Sequence, residues 1–165
     1  MIPFKLLNLD GGCGVVSAWM ALHNFKKKVP LQKLIRMCDY SSDYGTYTIC
    51  IAVALKELGL DVSFHTDEDN DKTAVELKAY RRARDLLIPV LPAFSVIDLH
   101  NALDANKYVI VLYDTPESVG HFSPVSAIDE GAIKLAYADE PILPISEFNA
   151  SWRAEGICQQ SIIVG

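Results

Sequence analysis

The chain has 165 residues, of which half are apolar and 22% charged, and its formal net charge at pH 7 is -6. This length allows one globular domain with a proper core, which we expect to span residues 1–165. The negative balance argues against nucleic acid as a partner, because a phosphate-binding surface needs clustered excess lysine and arginine. No targeting segment and no apolar stretch of about 20 residues is present, so we expect a soluble, cytoplasmic protein with no membrane partner.

The four cysteines are widely spaced and form no C-x-x-C pair, which excludes zinc-ligand and redox spacing. Cys38 and Cys50 lie among periodic apolar residues and are predicted to be small core side chains. Cys13 differs, because the segment Asp10–Gly14 reads DGGCG and the apolar run Val15–Leu22 follows at once. A thiol at the start of a helix lies at the positive end of the helix dipole, which favours the thiolate. Cys13 is therefore a candidate nucleophile.

Helical patterns dominate the amino-terminal third of the chain. Apolar residues recur at helical spacing in three segments, and Gly59 follows the third segment where a left-handed helix cap is needed. The predicted elements are a helix from Cys13 to about Phe25, a helix over Leu31–Met37, a helix over Thr46–Leu58 and a short strand over Asp61–His65.

An acidic stretch, Thr66–Asp71, interrupts the regular elements. Its alternating aspartates resemble a calcium-binding loop, but Lys72 replaces the required glycine and Lys78 stands where the closing glutamate belongs. The stretch is therefore interpreted as a solvated loop, and no metal site is predicted.

The remaining chain changes from helices to strands. A helix is predicted over Thr73–Leu87, and another begins at Ser95, where Asp98 completes a capping box, and runs to about Asp104. Four stretches rich in β-formers follow: Tyr108–Tyr113, His121–Ile128, Ala132–Tyr137 and Cys158–Val164. Helices followed by an antiparallel sheet predict an α+β fold, with the helical part packed beside the sheet.

A thiol nucleophile needs a base within hydrogen-bond reach, and the chain has four histidines. His23 lies in the same helix as Cys13, too far along to fold back, whereas His65 and His100 suit surface or edge positions. His121 opens a strand directly after Gly120, where a glycine lets another segment approach closely. His121 is therefore the candidate base.

Asp139 is the candidate for orienting that base. If the strands around Asp129–Gly131 form a hairpin, the start of one strand lies beside the end of the next, so His121 and Asp139 become neighbours. The alternative from the residues alone is purely structural: a buried cysteine, a strand-edge histidine and an aspartate in a turn.

The order of these motifs resembles the bacteriocin-leader (double-glycine) peptidases, a family of papain-like cysteine peptidases. The resemblance rests on DGGCG opening a helix, Gly120-His121 opening a strand and Asp139-Glu140-Pro141 after the next strand. It extends over nearly the whole chain, since Gly45-Thr46 before a helix and the segment Ile145–Trp152 also match.

The resemblance implies a papain-like fold and a peptide or small amide substrate. It further implies that Cys13 attacks a carbonyl as thiolate, that His121 moves the proton and that Asp139 holds the imidazole, with no metal or organic cofactor. The family places a glutamine six residues before the cysteine to help form the oxyanion hole. Here that position is Leu7, and Asn8 carries the nearest amide donor.

The chain departs from the family pattern at two other places, one in a strand and one beside the expected substrate groove. Pro124 falls inside the predicted His121 strand, so this strand is expected to lie at an edge or carry a bulge. The region Thr66–Phe94 is longer and more charged than the family pattern needs.

Two other functions remain open from the sequence. A module of the same fold that binds a peptide without cutting it fits the absent glutamine. An acyltransferase or transpeptidase fits equally, because an amine can resolve the same thioester that water resolves.

Overall fold

Seven helices are distributed along the chain in the computed structural model, which describes residues 1–165. Two of them begin with a capping box, in which the side chains of Thr73 and Glu76, and of Ser95 and Asp98, bond each other's backbone N–H groups. The helices are α1 (Phe4–Leu7), α2 (Cys13–Asn24), α3 (Leu31–Met37), α4 (Thr48–Glu57), α5 (Ala74–Asp85), α6 (Val96–Asp104) and α7 (Ile145–Trp152).

Seven strands form one mixed sheet in the order β2-β1-β7-β3-β4-β5-β6. All neighbours pair antiparallel except β1 and β2, which are parallel. The strands are β1 (Val62–Thr66), β2 (Val90–Pro92), β3 (Tyr108–Asp114), β4 (Gly120–Asp129), β5 (Ala132–Leu135), β6 (Ile142–Pro144) and β7 (Ser161–Val164).

Helices cover both faces of the sheet and divide the core in two. The larger core joins α2 and α4 to one face, and the smaller one joins α6 and α7 to the other. Strand β7 is therefore buried at every residue, and the Ile49–Leu55 stretch of α4 is apolar all round because neighbours surround it. This arrangement holds the N-terminus of α2 against the start of β4.

The structure confirms the α+β fold class and most predicted elements. Gly59 has φ +83° after α4, as a left-handed cap requires. Two strands escape prediction, β2 and β6, because each has three residues and ends in proline. The last strand begins later than predicted, since Cys158 and Gln159 both have positive φ and cannot join the ladder.

The expectation for His65 is wrong, and the expectation for Pro124 is confirmed in its second alternative, a bulge. His65 is not a surface or edge residue: it is buried in β1, between β2 and β7, where its Nδ1 lies 3.2 Å from the Pro92 carbonyl oxygen. Pro124 lies in an interior strand, and the irregularity that accompanies it follows between Val125 and Ala127. None of the helices is long and apolar enough to cross a membrane.

Candidate functional site

Cys13 is the first residue of α2, and the turn before it is held from two sides. The Tyr40 hydroxyl donates to the Asp10 carbonyl oxygen at 2.6 Å. Gly45, with φ +72°, lies so close to Gly11 that a Cβ at this position would stand 2.7 Å from the Gly11 oxygen. The turn therefore fixes where the thiol leaves the helix.

Gly14 brings the helix against its neighbours directly behind the thiol. A Cβ on this residue would lie 2.2 Å from Thr46 Cγ2, 2.9 Å from Ile51 Cδ1 and 3.1 Å from Phe122 Cδ2. Only a glycine lets α2 pack this closely on β4, which places the Cys13 thiol at the start of that strand.

We expect the substitution Gly14→Ala to lower the free energy of unfolding by about 1–3 kcal/mol, because the added methyl overpacks this contact. Chemical denaturation measures the change. The double variant Gly14→Ala/Thr46→Ser removes the methyl that clashes most and keeps the hydroxyl, so it should recover part of the loss. Equal stability of Gly14→Ala and the unsubstituted protein would contradict the close packing.

The Cys13 thiol is half-buried and faces two groups of β4. The Phe122 backbone N–H donates to Sγ at 3.5 Å, and the His121 imidazole interacts with the same sulfur. Burial by itself raises the pKa of the thiol, but His121 and the N–H groups of Phe122 and Gly14 outweigh it, so the pKa lies below its ordinary value. The site thus favours a thiolate.

The His121 imidazole is held by the backbone and by aromatic rings. Its Nε2 donates to the Tyr137 carbonyl oxygen at 2.8 Å, which leaves Nδ1 free to exchange a proton with a neighbour. The ring packs edge-on against Tyr113 and stacks on Tyr137. Burial works to lower the pKa of the imidazole, but the Cys13 side chain and the Tyr137 carbonyl raise it above its ordinary value.

The structure brings Asp139 to the same cavity as His121, but not into a hydrogen bond with it. The Tyr137 carbonyl oxygen accepts the hydrogen bond from Nε2. Asp139 acts on the ring only through its negative charge, which contributes to the raised pKa of His121. Asn8 is not brought to the thiol side: its amide nitrogen donates to the Phe4 carbonyl oxygen at 3.0 Å, and it does not line the cavity beside Cys13.

Two cavities flank the pair. The Cys13 cavity, of about 540 Å³, is lined by Cys13, Gly120, Phe122 and Gln160 among others. The His121 cavity, of about 480 Å³, is lined by His121 and by residues of β3 and α7. Neighbouring residues of a strand point to opposite faces. Phe122 therefore lines the Cys13 cavity from one face of β4, and His121 lines the His121 cavity from the other face.

Sequence reasoning missed the backbone groups of this site. The Phe122 N–H and the Tyr137 carbonyl have no sequence signature, since every non-proline residue carries both groups. Gln160 was assigned to the last predicted strand, and nothing in the pattern indicated that its side chain lines a cavity with Cys13.

Two solved structures share this fold. One is a double-glycine-motif protease from an AMS/PCAT transporter in complex with the leader peptide. It is 18% identical, with a TM-score of 0.56 over 92% of this chain and 82% of that chain. The other is the peptidase domain of Streptococcus ComA, a bifunctional ABC transporter involved in a quorum-sensing pathway. It is 13% identical, with a TM-score of 0.62 over 95% of this chain and 91% of that one.

At these identities the likeness establishes the fold, that of the double-glycine leader peptidase domains, which are papain-like cysteine peptidases. No protein-family model matches the sequence, and no curated protein does. The papain-like fold expected from the motifs is thereby confirmed.

Proposed function

We propose that the chain is a cysteine peptidase, a hydrolase of peptide bonds that works through a thioester on Cys13. The observation that carries the proposal is the pairing of Cys13 with His121, which lowers the pKa of the thiol and raises that of the imidazole. A thiolate beside an imidazolium is the activated form of a cysteine nucleophile. We assign the whole of residues 1–165 to this one peptidase domain.

In the first half of the reaction, the Cys13 sulfur attacks the carbonyl carbon of the scissile bond and the carbonyl oxygen becomes an oxyanion. His121 then gives its Nδ1 proton to the leaving amine, the carbon–nitrogen bond breaks and a thioester remains. In the second half, a water molecule loses a proton to His121 and attacks the thioester. The carbon–sulfur bond breaks, the carboxylic acid leaves and loses its proton to solvent, and the thiolate–imidazolium pair is restored.

The first donor for the oxyanion is the Cys13 backbone N–H. It is the first N–H of α2 and has no acceptor in the structure, so it is free for the substrate. The expected second donor, the Asn8 amide, is held by Phe4 in this arrangement. A turn of the Asn8 side chain away from Phe4 would be needed before it could serve as the second donor.

Asp139 completes the proposed triad by charge, since the Tyr137 carbonyl supplies the hydrogen bond to His121. We expect Asp139→Asn to lower kcat/KM only about tenfold, well short of the roughly 10⁴-fold loss seen when an aspartate bonded directly to the histidine is replaced. Removing the negative charge lowers the pKa of His121, so the alkaline limb of the pH profile should move to lower pH. A 10⁴-fold loss of kcat/KM would show that Asp139, and not the Tyr137 carbonyl, orients His121.

The proposal is tested by incubating the protein with peptides that contain a Gly-Gly sequence and identifying products by mass spectrometry. We expect cleavage that yields a new carboxyl terminus and a new amine and depends on Cys13. Added amine or thiol acceptors show in the same assay whether the acyl group passes to water or to an acceptor. The absence of any product from a diverse peptide library would contradict the peptidase assignment.

A peptide-binding module without activity is the second candidate, and the placement of Asn8 favours it. The paired Cys13 and His121 argue for catalysis instead, because a module that only binds has no need of a thiol with a lowered pKa. The two are separated by whether a bound peptide is cut.

A further inference from the structure

The Cys13 cavity is acidic. Five carboxylates line it and no lysine or arginine does. They belong to the turn before α2, the turn before α4, the loop after β1 and the first turn of α5: Asp10, Asp43, Asp69, Asp71 and Glu76.

The His121 cavity has the same character. It too has five carboxylates and no lysine or arginine: Asp114, Glu117, Asp139, Glu140 and Glu147. The two cavities therefore hold ten of the chain's 21 acidic residues and none of its 15 lysines and arginines.

None of these ten carboxylates forms an ion pair in the structure. The four ion pairs of the structure use other carboxylates, those of Glu57, Asp61, Asp104 and Asp129. Lys72, which follows Asp71 in the chain, turns its ammonium to the Asp69 backbone carbonyl and to the Tyr80 ring. Acidic residues on both sides of Cys13 and His121 give this surface a negative potential, which attracts positively charged ligands.

Gln160 supplies an independent sign of a ligand in the Cys13 cavity. Only 6% of the residue is exposed, and it is fixed because its Oε1 accepts from the Thr48 hydroxyl and its carbonyl accepts from Trp152 Nε1 at 3.0 Å. The amide nitrogen has no acceptor in the protein, while the residue lines the cavity. The amide nitrogen is not among the buried atoms that lack a partner, so it is open to the cavity, where a ligand or water can accept from it.

We propose that the site takes a cationic peptide. The lysine or arginine side chains on the two sides of the scissile bond lie in the Cys13 and His121 cavities, and a peptide carbonyl accepts from the Gln160 amide. The inference names the substrate class of the proposed peptidase and rests on that function. An extended peptide suits the arrangement, because its successive side chains point to opposite sides.

The charge preference is tested without peptide cleavage, by labelling Cys13 with cationic aminoethyl and anionic sulfonatoethyl methanethiosulfonate. The Cys158→Ser background leaves Cys13 as the one thiol that is not fully buried. Relative to free cysteine, we expect the cationic reagent to react on the order of tenfold faster than the anionic one at low salt, and the ratio to fall in high salt. Equal relative rates overturn the inference.

Matched peptides then test the substrate class. We expect a Gly-Gly peptide flanked by lysines to be cut with a kcat/KM on the order of tenfold above its glutamate counterpart. Removing four of the ten charges with Asp43→Asn, Asp71→Asn, Glu117→Gln and Glu140→Gln should reduce the preference. The control, Glu130→Gln/Glu155→Gln, changes exposed carboxylates outside the cavities and should keep it.

The outcomes separate the two proposals. Cleavage of both peptides at equal rates overturns the charge preference and leaves the peptidase in place. A reagent preference without cleavage of any peptide supports the acidic site and overturns the peptidase.

The role of Gln160 needs a variant that does not orphan the Thr48 hydroxyl. We compare Thr48→Val/Gln160→Met with Thr48→Val alone. In the double variant we expect kcat/KM for the lysine peptide to be about fivefold lower, which corresponds to the loss of one neutral hydrogen bond. The rate of Cys13 alkylation by iodoacetamide should stay the same in both variants. An unchanged kcat/KM overturns the contact between Gln160 and the peptide.

Discussion

Replacing Cys13 with serine should abolish peptide cleavage, with kcat reduced by roughly 10⁴- to 10⁶-fold. The serine hydroxyl fills almost the same space, so the fold should persist. A hydroxyl is a far weaker acid than a thiol, so it stays protonated beside His121 and is a poor nucleophile. Initial rates of cleavage at saturating peptide measure the loss, and circular dichroism confirms that the variant is folded.

The matched control is Cys158→Ser. Cys158 is also partly accessible, but burial and nearby acidic groups raise the pKa of its thiol, so it is a poor nucleophile. We expect its kcat/KM to stay within about twofold of the unsubstituted protein. If Cys13→Ser retained the activity and Cys158→Ser lost it, the nucleophile would be misassigned.

Replacing His121 with glutamine should lower kcat/KM by roughly 10²- to 10⁴-fold, because the proton of the leaving amine then has no positioned donor. The pKa of Cys13 should rise at the same time, since its main stabilising partner is gone. The reaction should therefore need a higher pH in the variant than in the unsubstituted protein. Rates measured across the pH range give both effects.

His100→Gln is the matched control for that substitution. His100 lies on the exposed side of α6, where its Nδ1 is 3.3 Å from Asp104. Its loss should leave both the rate and the pH profile unchanged. A His121→Gln variant with an unshifted profile would show that the imidazole does not stabilise the thiolate.

Helices and their caps were predictable because their signals are local. The segment Leu31–Met37 matches the observed α3, and the capping box of Ser95 and Asp98 follows from side chains three residues apart. The helix over Ile145–Trp152 was implied by the family resemblance, and it matches α7. The edge strands β2 and β6 were not predictable from the sequence. Three residues show too little periodicity, and the pairing of these strands depends on other segments of the chain.

The closeness of Cys13 and His121, the proposed nucleophile and base, was predictable for a different reason. Cys13 and His121 are 108 positions apart, but each directly follows a glycine at the start of a regular element, which marks a place where chain segments meet. The hairpin argument correctly placed Asp139 near His121, but it could not show that β5 ends before Tyr137. β5 ends at Leu135, so the Tyr137 carbonyl reaches the imidazole first.

The central claim is that Cys13 is held as a thiolate by His121, ready to attack a carbonyl. The most direct test is the rate of iodoacetamide alkylation of Cys13 across the pH range, followed by mass spectrometry of the labelled peptide. We predict a midpoint below that of free cysteine and a faster reaction than free cysteine in mildly acidic solution. A midpoint at or above that of free cysteine, unchanged by His121→Gln, would contradict the claim.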